Sequence, residues 1–293
     1  MPINKLVVIL GPTSSGKTAL AVKMAKIFKG EIVSADSRQI YKDMDIGTGK
    51  DLKEYGKIPY HLINIVKPTQ KFSLAKYQKL AYKTIDDIIS RGKIPFLVGG
   101  TGLYLNAIIE GYNLNKIKPN LKLRNLLNKK TIKQLQILIK KYKIQLNESD
   151  FNNKRRLIRQ IEINQNKSLI RQLPNQPKYE CLILGLTLPK PELDQKIDQR
   201  LQEMFKQGLL REVKKLHQNG VSWKTLDDFG LQYRFTAKHL KNELDYGSML
   251  YQLQNALHQF AKRQMTWFKR NKNIIWLKKA SEAKKLIKQF INS

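Results

Sequence analysis

The sequence predicts an α/β protein, a parallel sheet flanked by helices and interrupted by a small all-helical insertion. Three observations carry this reading. Apolar strand patterns alternate with helical patterns over residues 1–112, which indicates parallel strands joined by crossover helices. Three of those segments end in glycine-rich or polar turns, where parallel sheets hold ligands. From 113 to 180 the strand signal disappears and only helical periodicity remains.

The first strand is Leu6–Leu10, an unbroken apolar run. It flows into Gly11-Pro12-Thr13-Ser14-Ser15-Gly16-Lys17-Thr18, the pattern G-x-x-x-x-G-K-T. A helix follows, with Leu20, Met24 and Ile27 on one face. This order of strand, loop and helix makes the fold P-loop NTPase-like. The glycines let backbone N–H groups turn inward around a phosphate, and the helix N-terminus adds partial positive charge. Lys17 neutralises the terminal phosphate, and the Thr18 hydroxyl is placed to ligate Mg²⁺. The loop does not say whose phosphates it holds, since ATP and a diphosphate ester offer it similar oxygens.

Glu31–Ser34 reads as a second strand, Phe72–Ser90 as a helix, and Lys93–Gly100 as a strand ending in a glycine pair. After the second strand comes Ser34-Ala35-Asp36-Ser37-Arg38-Gln39-Ile40-Tyr41. Asp36 there has three readings: a Mg²⁺ partner, a general base on an incoming nucleophile, or a carboxylate satisfying its own turn. Arg38 and Gln39 have the chemistry to grip a phosphate or a base edge. The run Gly99-Gly100-Thr101-Gly102 allows close approach of backbone to ligand, or is simply a tight turn.

The insertion reads as helices over Leu121–Tyr142 and Lys154–Gln165 with a polar link over Asn147–Asn153. Leu182–Leu186 returns to the sheet. Pro191–Phe205 is a helix with Gly208 at its exit, and Ile274–Leu277 is a last short strand in a helical C-terminal third. The expected division is a core of 1–112 plus 181–293, and an insertion of 113–180.

Charge points to a polyanion partner. The net charge is +32, and the excess is most lopsided in 113–180, with 17 basic and 4 acidic side chains. Much of the excess is lysine beside abundant Ile and Asn, as an AT-rich coding bias produces. Arginines are harder to attribute to bias. Arg155, Arg156 and Arg159 cluster on one helix around Leu157 and Ile158, with Arg155 and Arg159 sharing a face. A second basic stretch, Gln259–Arg270, interleaves Lys262, Arg263, Lys269 and Arg270 with Phe260, Trp267 and Phe268. The single cysteine, Cys181, allows no internal disulfide, and the four histidines show no metal-ligand spacing. No apolar run approaches the ~18 residues of a membrane span. The expectation is a cytoplasmic monomer with no membrane partner.

Taken in order, these segments resemble the tRNA dimethylallyltransferase (tRNA isopentenyltransferase) family. The matching segments are 11–18, SADSRQIYKDMDIGTGK at 34–50, PYHLINI at 59–65, GKIPFLVGGTGLYL at 92–105, RRLIRQIE at 155–162, IDQRL…QGLLREV within 197–213 and AKRQMTWFKR at 261–270. Where the family often has G-Y-[KR]-E, this chain has Phe229-Gly230-Leu231-Gln232-Tyr233-Arg234. The resemblance implies transfer of a five-carbon prenyl group from dimethylallyl diphosphate to the exocyclic amine of the adenosine 3′ to the anticodon. It implies that residues 11–18 bind the diphosphate with Mg²⁺ as cofactor, and that Arg200 also reaches it. It further implies that Asp36 accepts from the adenine amine. Ser37, Arg38, Gln39 and Thr101 match positions that hold tRNA. On the insertion, Arg124 and the segment Arg155, Arg156, Leu157, Ile158 and Arg159 match positions that meet the anticodon stem-loop, and Lys262 and Arg263 extend the basic surface.

Three other readings compete. A transferase acting on free adenylate shares the P-loop and Asp36 but has little use for a basic insertion. A kinase using ATP leaves SADSRQIY without a task. A non-catalytic RNA-binding protein has no need of intact Lys17, Thr18 and Asp36.

Overall fold

The computed structural model describes residues 4–114, 119–166 and 174–293. The chain divides into two compact units, Met1–Tyr112 with Pro177–Ser293, and Asn113–Gln176. The first half of the larger unit runs β1 (Lys5–Leu10), α1 (Lys17–Ile27), β2 (Glu31–Ser34), β3 (Tyr60–His61), α2 (Leu74–Ser90), β4 (Pro95–Gly99) and α3 (Gly102–Ile109). The smaller unit holds α4 (Leu121–Asn128), α5 (Ile132–Lys141), α6 (Glu148–Phe151) and α7 (Lys154–Asn164). The chain returns through β5 (Glu180–Gly185), α8 (Lys190–Gln207), α9 (Leu209–Gln218), α10 (Trp223–Asp228), α11 (Leu231–Leu240), α12 (Tyr246–Phe268), β6 (Ile275–Trp276) and α13 (Glu282–Asn292).

Among the described residues the strands form one parallel sheet in the order β3-β2-β4-β1-β5-β6. Both faces are covered, which is why β1 reads as a continuous apolar run instead of an alternating one. Leu6, Val8 and Leu10 pack with Tyr77, Ala81 and Ile85 of α2 and Leu105 of α3. Val7 and Ile9 pack on the opposite face with Leu20, Ala21 and Met24 of α1 and Ile287 of α13. Burying each such side chain contributes about 1.5–3 kcal/mol.

The order places β4 between β2 and β1. The turns leaving those three strands are therefore neighbours at one end of the sheet. Gly99 makes the approach possible, because a Cβ there would lie 2.3 Å from the Ala35 carbonyl oxygen.

Several sequence expectations are corrected. Ile27 is 41% exposed, and α1 instead buries Leu20, Ala21, Met24 and Ala25. The span Leu121–Tyr142 is two helices, not one. Thr131 starts α5 with a capping box, its side chain accepting from the Gln134 N–H while Gln134 reaches back. The expected polar link carries the short helix α6. The two-residue edge strand β3 gave no periodic signal.

The smaller unit has its own core of Leu127, Leu135, Ile139, Leu157, Ile158 and Ile161. Within it Glu162 has no exposed surface. It accepts from the Asn120 N–H at 2.6 Å, from Arg124 Nε and Nη2 at 3.0 and 2.7 Å, and from Arg159 Nη1. Burial alone would raise its carboxyl, but the two arginines and the backbone bond outweigh that and hold it below the usual carboxylate value.

A second carboxylate fixes the sheet edge. Glu31 at the start of β2 accepts from Arg91 after α2 and pairs with His61 Nε2 of β3 at 2.8 Å. The Arg91 bonds lower its pKa to about 2, against the opposing effect of burial. A lowered carboxylate contributes stability above its unfolded value of 4.5 and loses it as pH falls toward 2. The urea midpoint should therefore fall between those pH values, and Glu31→Gln should flatten that segment. Equal acid sensitivity in both proteins would remove Glu31 from the account.

Candidate active site

The site is built from the turns after β1, β2 and β4. In the turn after β1, Ser14 and Gly16 both take positive φ, 60° and 81°. Gly16 is the N-cap of α1 and offers the first N–H groups of that helix no side-chain hydrogen bond. Gly11 must be glycine because a Cβ there would meet the Leu186 carbonyl oxygen at 2.5 Å. The Ser14 and Ser15 hydroxyls are buried with no hydrogen-bond partner. Unsatisfied buried hydroxyls beside a helix N-terminus suit an anion that accepts from them.

Lys17 donates to the Pro12 carbonyl oxygen at 3.1 Å. Burial pushes its ammonium down to about 8, Arg200 adds to the effect, and Asp36 and Glu54 oppose it. Arg200, on α8, is likewise lowered by burial, with Asp36, Glu54 and Asp51 opposing. Two desolvated cations thus lie close enough for Arg200 to disfavour the Lys17 charge. Both gain from a multivalent anion placed between them.

Arg200 is aimed by backbone. Its Nη2 donates to the Gly49 carbonyl oxygen at 2.8 Å, and Gln39 Nε2 reaches the same oxygen at 3.5 Å. The loop carrying Gly49 is held in turn by Glu212 of α9. That carboxylate accepts from the N–H groups of Asp45, Ile46 and Gly47 at 2.8, 2.7 and 3.0 Å, and from the Tyr233 hydroxyl at 2.7 Å. Glu212 lies inside a motif that the sequence singled out, but nothing in its spacing announced this clamp.

After β2, Asp36 Oδ1 accepts from the Arg38 N–H at 2.8 Å. The turn-satisfying reading of Asp36 is thus true of one oxygen. Among the described residues the other oxygen has no hydrogen-bond partner, and the Asp36 charge acts on both Lys17 and Arg200. The Thr101 hydroxyl, in the turn after β4, accepts from the Ser37 N–H at 3.0 Å and lies 3.4 Å from the Ser37 hydroxyl. Asp36, Ser37, Arg38, Gln39 and Thr101 form one surface adjoining the phosphate loop. Gly230 at the head of α11 borders it, since a Cβ there would lie 3.8 Å from Arg38 Nε.

The glycines of the third turn allow close packing against α12. A Cβ on Gly100 would meet Gln264 Nε2 at 2.6 Å, and one on Gly102 would meet the Trp267 ring at 2.3 Å. On α12, Lys262 and Arg263 are exposed, and Arg263 lies over the Phe260 ring at 5.9 Å. Phe268 is core, whereas Phe260 is 39% exposed.

In the smaller unit Arg124 and Arg159 flank Glu162, and Arg156 pairs with Asp150. Leu157 and Ile158 are 0% and 5% exposed. Their side chains are spent on the core of that unit, so they are scaffold for the arginines and not themselves a contact surface.

The geometry defines a class: a P-loop α/β protein in which the turns after β1, β2 and β4 meet at one end of a parallel sheet. Comparison with known proteins makes the class specific. The "IPP transferase" family model matches residues 39–271, and the "Isopentenyl transferase" model matches 4–57. A tRNA dimethylallyltransferase 1 of Syntrophus aciditrophicus is 44% identical over 286 residues, covering 94% of each chain. One from Geotalea daltonii is 44% identical over 282 residues, covering 94% of this chain and 92% of the relative. The crystal structure of a tRNA isopentenylpyrophosphate transferase from Bacillus halodurans superposes with a TM-score of 0.76 at 33% identity, covering 99% of this chain and 97% of that one. A eukaryotic dimethylallyltransferase acting on tRNA superposes with a TM-score of 0.72 at 27% identity, covering 90% of this chain and 69% of that one. The chain belongs to the tRNA dimethylallyltransferase family.

The depressed Lys17 carries a signed consequence. A bound polyanion raises its pKa, so binding above pH 8 takes up a proton, and the Lys17-dependent part of affinity falls as pH rises. Calorimetry of pyrophosphate binding at about pH 8.5 in buffers of differing ionisation enthalpy should show that uptake and its loss in Lys17→Met. Identical proton balance in the two proteins would contradict the assignment.

Proposed function

We propose that this protein transfers a dimethylallyl group from dimethylallyl diphosphate to the N6 amine of the adenosine 3′ to the anticodon in tRNA. The products are N6-isopentenyladenosine and diphosphate. The observation that carries this reading is the juxtaposition of two desolvated cations at a phosphate loop with the open oxygen of Asp36.

In the reaction the bond between prenyl C1 and the bridging oxygen breaks, and a bond from adenine N6 to C1 forms. Negative charge grows on the departing diphosphate. The loop N–H groups, the Ser14 and Ser15 hydroxyls, Lys17 and Arg200 are placed to take that charge, and they need no rearrangement at that moment. Thr18 and the diphosphate oxygens are hard donors of the kind Mg²⁺ accepts when it binds through substrate phosphates. Among the described residues no cluster of three His, Cys, Asp or Glu side chains could hold a metal independently. Bound there, Mg²⁺ would add neutralising charge to the leaving group.

Asp36 accepts a hydrogen bond from the N6 amine and turns its lone pair toward C1, then receives the proton the nitrogen releases. An exocyclic amine is a weak nucleophile, so orientation contributes more than proton removal. The adenosine must leave its stack to reach this depth. Ser37, Arg38, Gln39 and Thr101 hold the extruded nucleotide. Arg124, Arg155, Arg156 and Arg159 of the insertion, with Lys262 and Arg263 of α12, contact the anticodon arm. The enzyme works as a cytoplasmic monomer, and among the described residues no helix is long and apolar enough to cross a membrane.

Pyrophosphate should compete with dimethylallyl diphosphate, and label from [γ-³²P]ATP should never reach RNA. Phosphoryl transfer to RNA would replace this reading with that of a kinase.

Asp36→Ala should lower turnover by roughly 10²–10⁴-fold, with a far smaller change in tRNA affinity. Near-normal turnover would leave Asp36 as a turn residue only. Replacing Arg155, Arg156 and Arg159 together with alanine should weaken tRNA binding and reduce its salt slope by ~1 per lost phosphate contact. Binding of dimethylallyl diphosphate should not change. Wild-type affinity and slope in the triple variant would remove these arginines from the RNA surface.

A further inference from the structure

One buried polar side chain at the site has no part in the chemistry just described. Gln264 lies on α12, in the basic and aromatic stretch near the C-terminal end, and is 9% exposed. Its carboxamide is used at both ends. Oε1 accepts from the Thr13 N–H at 3.0 Å, inside the phosphate loop. Nε2 donates to the Gly100 carbonyl oxygen at 2.8 Å, in the turn after β4. One helical turn further, Trp267 lies against Gly102. This face of α12 therefore reads both glycines that bracket Thr101.

The connection continues beyond Gly100. Thr101 follows it directly, and the Thr101 hydroxyl accepts from the Ser37 N–H, one residue past Asp36. A continuous path of hydrogen bonds and single peptide links thus runs from the phosphate loop to the acceptor carboxylate: Thr13, Gln264, Gly100, Thr101, Ser37, Asp36. Parallel strands alone do not lock their outgoing turns to one another. Here a side chain from a distant helix does so, and Gly100 lacks a Cβ because that amide occupies its place.

We propose that Gln264 is a positioning residue that sets the spacing between the leaving-group loop and the acceptor carboxylate. It acts through backbone groups and touches neither substrate. The proposal rests on the prenyl-transfer reading, since it assigns Gln264 to aligning that donor with that acceptor. A glutamine suits the task because it donates and accepts at once without charge. A carboxylate would lose the bond to Gly100 and place negative charge beside the diphosphate. A leucine would lose both bonds.

The test uses the full-length enzyme with dimethylallyl diphosphate, tRNA and pyrophosphate. In Gln264→Leu, kcat at saturation with both substrates should fall by about 10²-fold, as expected for misaligned reactants. The pyrophosphate dissociation constant should rise roughly tenfold, while tRNA affinity stays within about threefold. In Gln264→Glu, protonation restores a donor to Gly100, so kcat/KM should be recovered toward low pH and lost on raising it. That limb is absent from the wild-type profile, and a purely structural glutamine gives no such pattern. Gln264→Glu, nearly isosteric, keeps the test decisive where Gln264→Leu does not fold. Wild-type kcat and pyrophosphate affinity in a folded Gln264→Leu enzyme, or a Gln264→Glu pH profile parallel to wild type, overturn the role of Gln264. Wild-type enzyme that neither binds pyrophosphate nor prenylates tRNA overturns the underlying reading instead.

Discussion

Two desolvated cations close enough to interact, Lys17 and Arg200, are the constraint around which the site is arranged. Lys17 and Arg200 each lose hydration, and Arg200 further disfavours the Lys17 charge. Uncompensated buried charge costs several kcal/mol, so the surrounding residues must hold both groups in place without neutralising them fully. The backbone does much of this. Pro12 supplies a carbonyl to Lys17, and Gly49 supplies one to Arg200. The Glu212 carboxylate then fixes the Gly49 loop by accepting from three successive N–H groups. Carbonyl partners leave the net positive charge intact, and that charge is what a diphosphate leaving group requires.

The sheet determines what stands opposite those cations. Because β4 lies between β1 and β2, the turn bearing Thr101 separates the phosphate loop from Asp36. Distances there are set by atoms that are missing: a Cβ at Gly99 would strike Ala35, and one at Gly100 would strike Gln264. The functional geometry is thus a product of packing between backbone segments. Strand order brings the three turns together, and one amide bonds to the turn after β1 and the turn after β4.

The parts legible in the sequence are those with local physical signatures. The phosphate loop declares itself through fixed glycine spacing after an apolar run, and α2 through its buried Tyr77, Ala81, Ile85 and Ile88 at helical period. The break between α4 and α5 was also readable, since Thr131 and Gln134 have capping-box spacing, but the apolar periodicity running across it hid the signal. Glu212 and Gln264 were not legible as site residues. Each sits in a motif, yet it bonds to backbone groups more than a hundred residues away, which carry no residue identity. Leu157 and Ile158 were read into a binding segment by their arginine neighbours, whereas helix geometry turns them into the core.

The smaller unit follows the same logic on its own scale. Its charge excess is not a uniform cloud, because Glu162 is buried among Arg124 and Arg159 and organises them. Such an arrangement presents guanidinium groups in fixed orientations, which suits phosphate and loop recognition better than mobile lysines do. We propose that the phosphate loop holds a prenyl diphosphate and that Asp36 presents an adenine amine of tRNA to it. The most direct measurement is a mass spectrum of tRNA nucleosides after incubation with dimethylallyl diphosphate. The account predicts one modified nucleoside, N6-isopentenyladenosine, mapping to the position 3′ to the anticodon. Unmodified tRNA together with prenylated free AMP under the same conditions would contradict it.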